Sequence, residues 1–125
     1  MDKILRILIV EDEAVIGLLL KETIEGLGHI VCGIANTETL AVTEAARCLP
    51  DLMIVDAGLR TGSGVSAMDT IGQSRHIPHI FVTGDTRRVQ ALRPHSIILE
   101  KPFFTHDLLD AIKQAVADGH SGFVP

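Results

Sequence analysis

Apolar positions along this chain switch between two periods. Ile4 to Val10 is an almost unbroken apolar run, interrupted by Arg6 and stopped by Glu11-Asp12-Glu13. A short run bounded by polar residues predicts a strand covered on both faces. The next segment places Val15, Leu18, Leu19 and Leu27 at helical spacing, leaves Lys21, Glu22 and Glu25 for water, and ends at Gly28. His29 to Ala35 is short and β-branched and predicts a second strand. Asn36 is the expected cap of a helix over 37–48, with Leu40, Ala41, Glu44, Ala45 and Cys48 spaced around it. Pro50-Asp51 ends that helix, and Leu52 to Val55 forms a third buried strand that delivers Asp56 at its C-terminal end. A glycine-rich loop over 57–64 leads to a helix over 65–73. His79 to Thr83 and Ser96 to Glu100 read as the fourth and fifth strands. Thr105 is the expected cap of a last helix striped by Leu108, Ile112, Ala115 and Val116. Strands and helices in strict alternation imply an α/β fold, a parallel sheet covered on both faces.

Composition narrows the function classes. A length of 125 residues fits one domain, expected to span 1–118, with a tail over 119–125 and no output domain. The formal charge of −5 argues against direct nucleic acid binding, and the adjacent Arg87 and Arg88 read as a solvated helix face. Cys32 and Cys48, 16 positions apart, match neither a zinc ribbon nor a redox pair. They read as packed, reduced thiols, for which a cytoplasmic location is the default. The first residues do not form an export signal, and no apolar run approaches the ~20 residues of a membrane span.

Ligands of an open parallel sheet bind beyond the carboxyl ends of its strands. Those ends carry Glu11-Asp12, Asp56, Thr83-Gly84 and Lys101-Pro102. Three acids, one hydroxyl and one ammonium are thus aimed at one rim. Asp12 and Asp56, with Glu11 near, make a hard oxygen site suited to Mg²⁺. A carboxylate can also attack phosphorus, and Lys101 and the Thr83 hydroxyl would then meet the phosphoryl oxygens. Three acids without a cation repel one another, so a metal is physically expected. Blander readings hold elsewhere. Glu13 reads as a first-turn helix acid. Pro78 separates His76 from His79, so they form no helical metal pair. Gly58, Gly62 and Gly64 lack the Gly-Lys-Ser/Thr that completes a Walker loop. Phe103 and Phe104 read as packing residues.

Leu8-Ile9-Val10-Glu11-Asp12-Glu13, Asp56 followed by Leu59 and Gly64, Thr83-Gly84 and Lys101-Pro102-Phe103 together resemble the receiver domains of bacterial two-component response regulators. The resemblance covers nearly the whole chain. It implies the flavodoxin-like five-stranded sheet in order 2-1-3-4-5. It also implies a stand-alone receiver whose Asp56 accepts a phosphoryl group from a sensor histidine kinase, rather than a turnover enzyme. Metal would be held by Asp12, Asp56 and the backbone carbonyl of Gly58, with Glu11 acting through water. Lys101-Pro102 would be a cis peptide. The charged form would relay or drain phosphate, or bind a downstream regulator or phosphotransfer protein, as a monomer or weak dimer.

Three features depart from the family pattern. Ile98 stands where an aromatic switch residue is usual. Thr83 and Lys101 are only 18 positions apart, and Pro94 truncates what lies between, so the fourth helix is expected to be short or mobile. Arg60 stands where proline is common. Residues 78–84 resemble a subgroup marked by a Phe-Ala-Thr-Gly signature, with Val82 in place of its Ala and Asp85 replacing the residue often found after the Gly. Two rival readings are a pseudo-receiver interaction module and a small phosphatase with an aspartyl nucleophile. Gly58 counts against the phosphatase, which often needs an acid at that position.

Overall fold

A computed structural model of the chain describes the backbone of residues 3–121 and the side chains of 3–118. Its elements are β1 (Arg6–Val10), α1 (Ala14–Gly26), β2 (Ile30–Ala35), α2 (Glu38–Cys48), β3 (Leu52–Asp56), α3 (Gly64–Gly72), β4 (His79–Thr83), α4 (Thr86–Leu92), β5 (Ile97–Glu100) and α5 (Thr105–Ser121). The strands form one parallel sheet in the order β2-β1-β3-β4-β5. This is the flavodoxin-like arrangement the resemblance implies. The Lys101-Pro102 peptide is cis.

The period of two in a strand explains the two cores. Leu8, Val10, Met53, Val55 and Phe81 pack on one face of the sheet. Ile7, Ile9, Leu52, Ile54, Ile80 and Val82 pack on the other. Central strands therefore need apolar residues at every position, which is why they read as continuous runs. The edge strand β2 needs less cover, and Ile30 and Ile34 remain exposed. A bulge in β2 shifts its pairing with β1 between Ile7 and Leu8, skipping Cys32. Cys48 Sγ donates to the Cys32 carbonyl at 3.2 Å. Burial, reinforced by the Cys48 thiol, pushes the Cys32 thiol pKa up to about 12. Both cysteines are free thiols.

Several local expectations change. The cap of α2 is Thr37, whose hydroxyl accepts from the Leu40 N–H at 3.1 Å, not Asn36. At the start of α5 the Phe104 N–H donates to Asp107 Oδ2 at 2.9 Å, so Asp107 reaches back to the terminus and Thr105 is already helical. Ala111, not Val116, completes the buried stripe of α5. Phe103 packs against the core, whereas Phe104 is 73% exposed and stacks on His106. Helix α5 continues through Ser121, so the backbone of 119–121 is helix where a tail was expected. Residues 122–125 of that tail lie outside the described residues. Helix α4 is short, with seven residues between Asp85 and Arg93. Among the described residues, no helix is long and apolar enough to cross a membrane.

The largest correction concerns α1. Its buried residues are Gly17, Leu20 and Ile24, while Val15, Leu18 and Leu19 are 69%, 54% and 56% exposed. A Cβ on Gly17 would sit 3.3 Å from the Ile34 side chain, so a glycine lets this face approach β2. Apolar residues occur nearly all round the helix, so spacing alone does not choose the face. Leu20→Ala is therefore expected to cost roughly 2–4 kcal/mol, and Leu19→Ala to stay within about 0.5 kcal/mol of wild type. Urea denaturation measures both. Equal losses at the two positions would contradict the observed face.

Candidate functional site

Strand register assembles the site. Val10 of β1 pairs with Val55 of β3, so Glu11 and Asp56 emerge side by side. Asp56 pairs with Val82 of β4, which places Thr83 one step beyond. The Lys101 N–H donates to the Thr83 carbonyl at 2.9 Å, extending the ladder to the fifth strand end. Three neighbouring registers thus bring residues 11, 56, 83 and 101 to one rim.

The carboxylates are crowded and largely buried. Glu11, Asp56 and Thr83 are 2%, 8% and 7% exposed. Single carboxylate oxygens of Glu11, Asp12 and Asp56 lie within 4.8 Å of one another. Lys101 Nζ lies 3.1 Å from Asp56 Oδ2 and 3.8 Å from Glu11 Oε1. The Gly58 N–H donates to Asp56 Oδ1 at 3.0 Å, so both Asp56 oxygens are held. The Glu13 N–H donates to Glu11 Oε2 at 3.1 Å. Thr83 Oγ1 accepts from the Asp85 N–H at 2.9 Å. A pocket of about 600 Å³ opens above, lined by Asp12, Asp56, Gly58, Thr83 and Lys101 among others. Glu11, Asp12, Asp56, Thr83 and Lys101, from four strand ends, therefore meet at one rim.

Electrostatics follow from the crowding. Burial raises the Glu11 carboxyl above its ordinary value, and the Asp56 charge adds to it, although the Glu13 N–H and Lys101 oppose the rise. Burial works against the Lys101 ammonium, yet the hydrogen bond and charge of Asp56, with Glu11, hold its pKa above that of an ordinary lysine. Three acids facing one ammonium leave an excess of hard, anionic oxygen. That donor set fits a divalent cation such as Mg²⁺, which takes a few carboxylates and keeps water.

The loop after Asp56 is shaped by close approach. A Cβ on Gly64 would lie 2.1 Å from the Asp56 carbonyl oxygen and 2.7 Å from Val55 Cγ1, so only glycine fits. Glu38, at the start of α2, accepts from the Ser63 N–H at 2.9 Å and the Ser66 hydroxyl at 2.8 Å, pinning the far end of the loop. The hydrogen bonds from Ser66 and Ser63 lower the Glu38 carboxyl pKa. Sequence reading missed this residue, because an acid in a first helical turn signals only the helix itself. Arg60, in sequence only a departure from the family pattern, lies at the site, where its N–H donates to Asp12 Oδ2 at 2.6 Å. Ile98 is half-buried against the core cluster that contains Phe81. The Arg93 guanidinium lies 5.6 Å from the Phe81 ring and pairs with Asp69.

A family model described as the response regulator receiver domain matches residues 7–113. The phyllosphere-induced regulator PhyR of Methylorubrum extorquens is 36% identical over 119 residues, covering 92% of this chain and 45% of PhyR. The solution structure of the PhyR REC domain from Erythrobacter litoralis superposes with a TM-score of 0.83 at 32% identity, covering 91% of each chain. The crystal structure of PhyR from Bartonella quintana, described as an anti-anti-sigma factor, gives a TM-score of 0.87 at 31% identity over 98% of this chain and 51% of that one. The chain spans about half the length of the curated relatives it matches.

The raised Glu11 pKa has a definite sign. Its protonated form is favoured in the fold, so its stabilising contribution is present below the unfolded value of about 4.3 and is lost as pH rises through the folded value. Glu11→Gln is expected to raise the urea midpoint of the metal-free protein at pH 7. The gain should shrink as the pH falls from 7 through the folded value and be absent below the unfolded value. A lower midpoint at pH 7 would refute this reading of the buried acid.

Proposed function

The chain belongs to the response regulator receiver domain family, a family of signalling domains, and from that premise we propose that Asp56 is its phosphoryl acceptor. The observation that carries this is the position of the Asp56 carboxylate at the floor of the acid pocket. Gly58 N–H holds one of its oxygens and the Lys101 ammonium the other. An ionised, oriented carboxylate is a nucleophile. Its oxygen forms the new bond to phosphorus as the bond from phosphorus to the donor imidazole of a sensor kinase breaks. The electron pair leaves on the imidazole nitrogen. Lys101 moves from Asp56 to an equatorial phosphoryl oxygen, where its charge is needed in the transition state. Glu11, Asp12, Asp56 and the Gly58 carbonyl would hold Mg²⁺, which would supply further neutralisation of the charge on the phosphoryl oxygens.

Thr83 couples this chemistry to the surface. Its Oγ1 accepts from the Asp85 N–H, and Asp85 in turn accepts from the Arg88 N–H as the cap of α4. A Thr83 hydroxyl drawn toward a phosphoryl oxygen loosens its hold on Asp85 and shifts the first turn of α4. This route needs no aromatic at Ile98. It presents a changed α4 to a downstream protein, and the anti-anti-sigma description of a PhyR relative supports a partner of that protein class. On the donor side, the exposed Val15, Leu18 and Leu19 begin one turn from Asp12 and offer an apolar face for the kinase. Residues 1–118 are proposed to suffice for uptake of the phosphoryl group. Gly58 offers no side-chain acid beside Asp56, so the group is held rather than turned over.

The test is incubation with acetyl phosphate and Mg²⁺, read by intact mass. Wild type should gain one phosphoryl group and Asp56→Asn none. Lys101→Ala should slow the uptake by about 10²-fold, the scale of removing one transition-state donor. Equal uptake by wild type and Asp56→Asn would remove Asp56 from its assigned role.

A further inference from the structure

Two cations serve the acid cluster, and phosphoryl transfer uses only one of them. Lys101 reaches the inner pair, Asp56 and Glu11. Arg60 reaches the outer pair. Its Nε lies 3.9 Å from Asp12 Oδ2, and one terminal nitrogen lies 3.8 Å from Glu13 Oε1. The Arg60 N–H is already bonded to Asp12 Oδ2, which fixes the start of the side chain against the acid it faces. Asp12 itself is largely covered, with its side chain 10% exposed, whereas the Arg60 side chain is 75% exposed and has room to move. Asp12 and Arg60 line the same pocket.

We propose that Arg60 is a tethered competitor of the divalent cation at Asp12, and so sets how much Mg²⁺ the site requires. The inference rests on the reading that Glu11, Asp12 and Asp56 hold such an ion. The guanidinium neutralises the outer acids in the metal-free protein, and a divalent ion entering beside Asp12 meets its positive charge. Binding therefore requires the guanidinium to swing away toward solvent or toward the anionic donor. The backbone N–H stays on Oδ2 throughout and leaves Oδ1 of Asp12 for the ion, an orienting role of the kind second-layer donors play at metal sites. An exposed ion pair at nearly 4 Å is weak and screened by salt, so the competition is modest and falls with ionic strength.

A charge series at position 60 tests this by calorimetric Mg²⁺ titration with no phosphodonor present. Arg60→Gln keeps the backbone N–H and should tighten Mg²⁺ binding roughly 2- to 5-fold at an ionic strength of about 0.02 M. Arg60→Glu should tighten it further, and Arg60→Lys should stay near wild type. The spread should narrow at about 0.3 M salt, where the screening length is shorter. A purely structural role for Arg60 would not sort affinities by charge. Circular dichroism confirms that each variant is folded. If wild type binds Mg²⁺, Asp12→Asn loses it and the series shows no ordering by charge, the competitor role is wrong while the metal site stands. If wild type binds no Mg²⁺ at all, both the metal site and the competition are refuted.

Discussion

The rim of this sheet crowds three carboxylates against one another. Glu11, Asp12 and Asp56 come within 4.8 Å because β1 and β3 are neighbours in register and both end at the same level. Like charges at that distance repel, and burial of Glu11 makes its charge costlier still. The local disadvantage is offset in two ways. Lys101 and the N–H groups of Gly58 and Glu13 are aimed at these oxygens. The strands behind them are apolar on both faces, so the core fixes the crowded ends in place. A site that works against local stability is held by a core that does not.

The same constraint organises the surroundings. The loop after Asp56 folds back so closely that Gly64 touches the Asp56 carbonyl, and Glu38 anchors its far end from another helix. Thr83 connects the pocket floor to the cap of α4. The short α4 ends at Arg93, whose guanidinium lies over Phe81 in the core and pairs with Asp69 of α3. Val89 packs α4 into the core, and polar contacts at Asp85 and Arg93 hold its two ends.

Strand-end chemistry is legible in the sequence because it depends on residue type and on where apolar runs stop. Val10 gives way to Glu11-Asp12, Val55 to Asp56, Val82 to Thr83 and Leu99 to Glu100-Lys101. Each stop marks where a buried strand leaves the core. The short α4 is equally legible, because Pro94 and the distance to β5 leave no room for more. The faces of the helices are less so. In α1, apolar residues surround the axis, and packing of Gly17 against Ile34 selects the buried side. In α5, alanine at 111 is buried while the larger Val116 is left to solvent.

Periodicity and the cost of burying charge, both local properties of the chain, thus dictate the alternation of elements, the parallel sheet and the identity of the groups at its rim. Neither property dictates which side of α1 is covered, how Glu38 reaches Ser63, or that Arg60 lies against Asp12. The last two contacts join residues 25 and 48 positions apart. They form only once the chain has folded, because their geometry depends on strand register and on how closely a glycine lets two backbones approach. No local pattern encodes either.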